Sequence, residues 1–541
     1  MAVFSIKSFG GIAPKTPPRY LQDSQAQTAM NCPVFKGSIQ PISDLGASVA
    51  DLAKSGTIKS LYRFGQDIIS DSNYWFHWTT DVDVCRSQIA GDTSEWTFFT
   101  GDGIPKATYS SIAISGSNYP AVARPLGLAA PVSAPTATAN SFSGTDGLLE
   151  TRVYAMTWVN KESGFEFESA PSPASNSVDV RTGQTVALTN FPSAPGGDYI
   201  VSHRRIYRAV SGVFLFVAEI AASASTYTDS VAPDSLGEAL PTTTWAAPPA
   251  TLKGLTNLPN GLMAGFTGRD IYFCDPYHPH AWPESYTQTL DFPIVGLGRM
   301  DTTLAVLTKG TPYLIQGTHP DNMAVVKADI EQACVSKNSI VSLLGGVLYA
   351  APDGLMLLSS GGSRIVTENL FDFKQWQAFF NPSSIHAYQH DNQYIAFYNN
   401  GSQSGGFIFD IRSGQFILHD MYADAGYHDL LRDKLFLALN ASGNKVKPWG
   451  YGSAKSYTWR SKKFTLPQVM GFSCAQLEAE AYPMTLKFYL DSVLYHTQTV
   501  QNRDPFRLPA KVGRDLELQV EGSNEVFSLA VANSMTELAS G

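Results

Sequence analysis

Between Leu262 and Trp449 the chain repeats one pattern five times: two short apolar, β-rich runs joined by a turn rich in Gly, Asn or Asp. The pairs are LMAGF–TGRD–IYF from Leu262, LAVL–TKGT–PYL from Leu304, VLYAA–PDG–LML from Val347, YIAFY–NNGSQSGG–FIF from Tyr394 and LFLAL–NASGNKV–KPW from Leu435. Their starts lie 42, 43, 47 and 41 residues apart. Each pair carries the signature of a β-hairpin. An isolated small sheet cannot cover its own apolar faces, so such units must stack on their neighbours. A hairpin recurring at this period predicts the blades of a β-propeller. The chain has no WD or kelch signature, so period and hairpin pattern carry the reading. The structural rival is a β-solenoid, whose turns are usually shorter.

Composition agrees with a mainly β protein. Of 541 residues, 24 are Tyr, 30 Phe and 9 Trp, and Gly and Pro number 44 and 32, which favours short strands and tight turns over helices. The length admits three or four domains with a sizeable core. Charged residues make up only 16%, against about 25% in a typical soluble protein. Surfaces this poor in charge fit a chain covered by partners; a secreted β-protein is the plainer reading. A net charge of -9 argues against a sequence-independent nucleic-acid binder, because nothing supplies a basic stripe to neutralise phosphates. The five cysteines (Cys32, Cys85, Cys274, Cys334, Cys474) are widely spaced without a CxxC pair, and read as reduced, mostly buried thiols made in a reducing cytosol. The start MAVFSIKSFGGIAPK has no apolar h-region, which predicts the absence of a signal peptide. The uncharged stretch from Ala107 to Ala123 is broken by Ser, Gly, Asn and Pro, so no membrane-spanning segment is expected.

Five segments follow. Residues 1–54 read as an extended N-terminal docking arm, in which Gly10-Gly11 and prolines 14, 17 and 18 suit a segment lying on another surface. A short helix is expected over Asp23–Met30, capped by Asp23 or Ser24. Residues 55–128 hold the first propeller blades: LYRF pairs with YWFHW, and TDVDV with WTFFT. With the later five, one or two blades here complete a ring of six or seven. Residues 129–248, between linkers rich in Pro and Ala, carry seven or so short strands and read as an inserted immunoglobulin/fibronectin-like sandwich. Residues 249–454 are the remaining blades, and 455–541 a C-terminal antiparallel β-domain.

Candidate chemistry is sparse. DPYHPHAWP places Asp275, His278 and His280 within six residues, a donor set of the kind metals use, in a context that equally suits a rigid surface loop. Asp81 and Asp83 alternate along a strand and face the same side, as a glycosidase pair would, although two solvated edge-strand charges look the same in sequence. A sialidase would add an arginine cluster and Ser-x-Asp-x-Gly-x-Thr-Trp turns. Pro352-Asp353-Gly354-Leu355 lacks the Thr-Trp, and Arg204 and Arg205 point to opposite faces of one strand. Trp75, Trp78, Tyr277 and Trp282 have the shape to stack on sugars, but in a protein of this composition they read as core or interface residues. GxSxG, Walker A and HExxH motifs are absent, and Gly296-Leu297-Gly298 lacks the third glycine of a dinucleotide site. No catalytic, cofactor-binding or metal-binding residue is assigned, and no enzyme activity is expected.

The opening FGGIAPKTPPRYLQDSQAQTAMNCPVFKGSIQPI resembles the start of tail nozzle proteins of short-tailed, podovirus-type phages, the tail tubular protein B type. TDVDVCRSQIAGDTSEWTFFTGDGIPKATY, ESAPSP with RRIYRA, APDGLMLLS and YTWRSKKFTLP…PFRLP are similar to successive later patches of those chains. The resemblance implies a virion structural protein made in the bacterial host cytoplasm and built into the distal tail. It implies a homo-hexameric nozzle ring below the tail adaptor, a channel for genome ejection and a platform for tail fibre or needle proteins. Six copies at -9 give a ring of roughly -54, whose wall would let double-stranded DNA pass without specific binding. Two other readings stand beside it: a propeller-based host-glycan adhesin or depolymerase, and a baseplate or hub component of a long-tailed phage.

Overall fold

The computed structural model describes residues 3–65, 70–144 and 147–540. It is mainly β, with 44% of residues in strands and 6% in helices, as the density of aromatic, β-branched and turn residues dictates. All five repeats are antiparallel hairpins, with Ala264 opposite Phe273, Ala305 opposite Leu314, Leu348 opposite Leu357, Ile395 opposite Ile408 and Ala438 opposite Val446.

Each hairpin supplies the middle strands of a larger antiparallel unit, here sheets III to VII in chain order. Their first, inner strands are Lys253–Asn257, Ile294–Met300, Val341–Leu343, His386–His390 and Ala425–Asp429. Two further sheets precede them. Sheet I pairs Ser60–Arg63 with Trp75–Trp78, and sheet II runs Asp83–Arg86, Thr97–Thr100, Lys106–Thr108, Arg124–Pro125. The inner strands of sheets II to VII pack side by side in order, and that of VII packs beside that of I. The Val82 N–H donates to Ser60 Oγ at 2.8 Å, joining sheet I to sheet II. The seven inner strands thus run in a closed circuit. Ala50–Asp51, which precede sheet I in sequence, pair with Lys445–Pro448 as the outermost strand of sheet VII.

Between sheets II and III the chain makes a separate β-unit. Phe165–Glu168, Tyr154–Glu162, His203–Val210 and Val213–Ala221 form one sheet; Thr136–Ala139, Val186–Thr189 and Tyr227–Asp229 form another. Leu149–Arg152 pairs with Val178–Arg181. Ala137, Tyr154, Val180, Val186, Leu188 and Ile206 are buried between these layers. A second cluster, with Trp96, Trp158, Phe167, Leu255 and Trp282, packs the unit against sheets II and III.

Residues 3–54 are not simply extended: at several points they pair with later strands of the same chain. Val3–Ile6 pairs with Leu529–Ala532. Ala26–Met30 is a strand, not the helix expected over Asp23–Met30: it lies antiparallel to Tyr457–Ser461 and meets Phe416–His419 in parallel at Met30 and Leu418. Pairing on both edges gives its backbone groups partners that a lone short helix could not match. Sheet VI thereby continues into the C-terminal strands as one ten-stranded sheet. A second C-terminal sheet, with Cys474–Ala479 and Val526–Ala532 at its centre, packs over it through Leu477, Leu486, Phe488, Leu518 and Leu529.

Gly10-Gly11 sits at the crossing. Ile12 N–H donates to the Phe416 carbonyl at 2.9 Å, and a Cβ on Gly11 would stand 2.3 Å from that oxygen and 2.8 Å from the Phe416 nitrogen. Both contacts are backbone held in sheet VI, so neither can step aside. Gly11→Val is expected to lower unfolding stability by about 2–3 kcal/mol. Urea denaturation followed by circular dichroism checks this; a midpoint equal to wild type would mean that the segment is not held by this contact.

Candidate functional site

The seven inner strands surround a cavity of about 280 Å³, lined by Ser60 of sheet I, Asp83 of II, Thr256 of III, Leu297 of IV, Tyr388 of VI and Gly426 of VII, with Ile340 leading into V. The carboxylate pair singled out in the sequence, Asp81 and Asp83, lies here. The residue that decides its chemistry is Lys337, from the 3-10 turn Lys337–Ser339 before sheet V. Its Nζ is 2.7 Å from Asp83 Oδ2 and 3.0 Å from Asp81 Oδ2. The Gly254 N–H also donates to Asp83 Oδ2, at 3.0 Å. Sheets II and V are three places apart in the circuit of seven, so this ion triad spans the cavity and ties both to sheet III.

Burial pushes the Asp83 carboxyl up, against the pull of Lys337. Burial works the other way on the Lys337 ammonium, but Asp83 and Asp81 together raise it above the usual lysine value. Both carboxylates thus share one cation, whereas general acid/base hydrolysis wants one protonated acid and one free base. Lys337→Met would leave two half-buried acids facing each other. With Lys337 and Asp83 side chains each 22% exposed, the expected loss is about 2 kcal/mol, below that of a fully buried pair. Urea unfolding of Lys337→Met and of Lys337→Met/Asp83→Asn checks it, the second change recovering part of the loss.

The structure keeps Asp275, His278 and His280 close, with the two imidazole rings 5.9 Å apart, but gives the two histidines different surroundings. His278 Nδ1 lies 2.8 Å from Asp275 Oδ2 on the surface. His280 is buried, edge-on to Phe167 and Trp245, and its Nε2 accepts from the Glu168 N–H at 3.4 Å. It joins the 129–248 unit to sheet III. Trp75, Trp78 and Trp282 are core residues, and only Tyr277 of the four proposed stacking aromatics is exposed. Arg204 stacks on Trp158 and Phe191 while Arg205 pairs with Glu166, Glu168 and Glu219, so the two form no common cluster. All five cysteines are buried and free. No helix among the described residues is long and apolar enough to cross a membrane.

Burial, with a smaller contribution from His278, pushes His280 down to about 3. An unfolded histidine titrates near 6.5. Between those values the unfolded chain binds a proton that the native one refuses, so stability falls as pH falls. Each pH unit below about 6.5 should remove about 1.4 kcal/mol through this residue. The check is urea unfolding at pH 6.5 and 5.0: wild type should lose about 2 kcal/mol more than His280→Gln over that interval.

Among the described residues one group has ligand atoms close enough to hold a single metal ion: His390, His428 and Asp433, all within 4.8 Å of one another. His390 ends the inner strand of sheet VI, His428 lies in that of sheet VII, and Asp433 occupies the turn that follows. Sequence spacing did not suggest them, since His390 and His428 are 38 residues apart. They come together because the inner strands of sheets VI and VII pack side by side, a contact that no local sequence window reports.

No family model and no curated protein matches the chain. Solved structures align at low similarity. One is the extracellular domain of a putative hybrid two component system from B. thetaiotaomicron, with 7% identity, 86% of this chain, 47% of that one and a TM-score of 0.22. Others are Hsv2 of Kluyvelomyces marxianus (9% identity, 60% of this chain, 95% of that one, TM-score 0.23) and AztD from Citrobacter koseri (12%, 69%, 99%, 0.24). The chain spans about half the length of the first. At these TM-scores the alignments carry no argument about fold or function.

Proposed function

We propose that the seven sheets are the blades of a β-propeller, interrupted after its second blade by an immunoglobulin/fibronectin-like sandwich and followed by a C-terminal β-domain. We infer further that the chain is a scaffold in the distal nozzle ring of a short phage tail. One observation supports the scaffold reading above others: the acid pair at the centre of the circuit is tied up by Lys337, at 2.7 and 3.0 Å. A depolymerase needs that centre open and its acids free; a rigid block needs it pinned. The charge-poor composition fits a chain with covered faces. Large apolar side chains stand in solvent at Leu430, Leu431 and Tyr451, on the sheet VII side. The ordered set of patches resembling nozzle proteins supplies the virion context, with a homo-hexamer, tail adaptor, fibres or needle as partners.

The test is made on purified particles. Mass spectrometry should find this chain in them, and electron micrographs of tails should show a distal six-fold ring that contains it. Its absence from particles overturns the reading. A positive glycan array or cleavage of host polysaccharide would favour the adhesin or depolymerase instead.

A further inference from the structure

We propose that His390, His428 and Asp433 bind one divalent first-row transition ion, zinc in particular, which staples sheet VI to sheet VII. The argument starts from unmet hydrogen bonds. His390 Nδ1 and His428 Nε2 are both buried, and neither has a hydrogen-bond partner. Buried polar atoms are nearly always paired, because leaving one unpaired forfeits its solvation. Here two orphan nitrogens sit on neighbouring strands, with ring centroids 5.7 Å apart, and a carboxylate stands over them. His428 Nε2 is 3.6 Å from Asp433 Oδ1. That is too long for a hydrogen bond, yet close to the edge of a tetrahedron, about 3.4 Å, that bonds of about 2.1 Å to zinc would give.

The donor set selects the ion. Two imidazoles and a carboxylate suit zinc and its first-row neighbours, whereas calcium and magnesium prefer all-oxygen shells. Three protein donors leave a position for water. The Asp433 side chain is 85% exposed on its turn and has room to swing inward, so only small rotations separate the empty arrangement from a coordinating one.

The location gives the ion a task. Sheet VII is the one that Ala50–Asp51 completes, so it joins the start of the circuit to its end. An ion shared by His390 of VI with His428 and Asp433 of VII would anchor that closing sheet to the sheet before it. It would also fix the turn bearing Leu430 and Leu431, which are 78% and 61% exposed. The site is separate from the Asp81–Asp83–Lys337 triad, and its fate is independent of the virion reading.

The experiment is titration of chelator-treated full-length protein with zinc chloride by calorimetry, repeated with cobalt to read visible absorbance. Wild type should bind one equivalent and melt at a higher temperature with zinc present. Asp433→Asn and His428→Asn should each weaken binding by about tenfold or more and lose the thermal shift. Asp433 has φ +50°, a conformation asparagine tolerates, so Asp433→Asn tests the ligand without threatening the fold. Absence of zinc binding by wild type at 100-micromolar-scale concentrations (about 10⁻⁴ M), or unchanged binding by either variant, overturns the proposal.

Discussion

Replacing Asp229 with alanine is expected to destabilise the 129–248 unit by about 4 kcal/mol. Asp229 is completely buried, and its Oδ2 accepts from Tyr154 Oη at 2.7 Å and Arg208 Nη1 at 2.8 Å. Its Oδ1 accepts from the Val231 N–H at 2.9 Å, and Arg152 Nη1 approaches to 3.7 Å. Tyr154 and Arg208 stand on one sheet, Arg152 on the two-stranded pair and Asp229 itself on a third sheet, so one carboxylate links every layer of the unit. Its loss strands the Arg208 guanidinium, 2% exposed, without a counter-charge. Removing one member of a buried pair costs far more than the pair itself contributes. Limited proteolysis should therefore cut the variant first between residues 129 and 248, with the seven sheets still resistant. Asp229→Leu combined with Arg208→Met should recover much of the loss, because apolar residues of similar volume often replace a buried ion pair without penalty. A single alanine variant that melts like wild type would contradict this account.

Trp459→Ala should cost a similar amount, about 4 kcal/mol, and act elsewhere. The Trp459 ring is fully buried and meets Phe9 edge-on at 4.9 Å, while its Nε1 donates to the Gly10 carbonyl at 3.0 Å. The variant loses a large ring from the main core and leaves that carbonyl unpaired. Residues 3–30 should loosen first, which hydrogen exchange would register as lost protection at Ile12 and Ala26, whose N–H groups donate to Phe416 and Gly11. Trp459→Phe restores most of the ring but not the donor, and separates the two effects. Equal protection in wild type and Trp459→Ala would exclude this residue as the clamp.

What the sequence made legible was local. Each repeat joins two runs through a short turn, so pattern and turn chemistry lie within one window, and all five hairpins, with LYRF–YWFHW and TDVDV–WTFFT, pair as expected. The N-terminal segment misled because its partners are remote: Val3–Ile6 waits for Leu529–Ala532, and Ala26–Met30 for Tyr457–Ser461. No local period reports such a partner, and AQTAM alone reads as well for a helix turn as for a strand. The centre of the circuit was half visible. Alternation placed Asp81 and Asp83 on one side, but the lysine that neutralises them comes from a turn more than 250 residues later.

The pairing of Val3–Ile6 with Leu529–Ala532 sets the order of synthesis against the order of assembly. Val3–Ile6 is made more than 500 residues before the strand it pairs with, so it can be placed only late. Sheet VII has the same dependence, because Ala50–Asp51 must wait for Lys445–Pro448. Until then the nascent chain holds unpaired strand edges, the form most open to wrong association. A chain that lacks Leu529–Ala532 would therefore leave Val3–Ile6 unpaired, so a lesion far along the sequence is felt near its start.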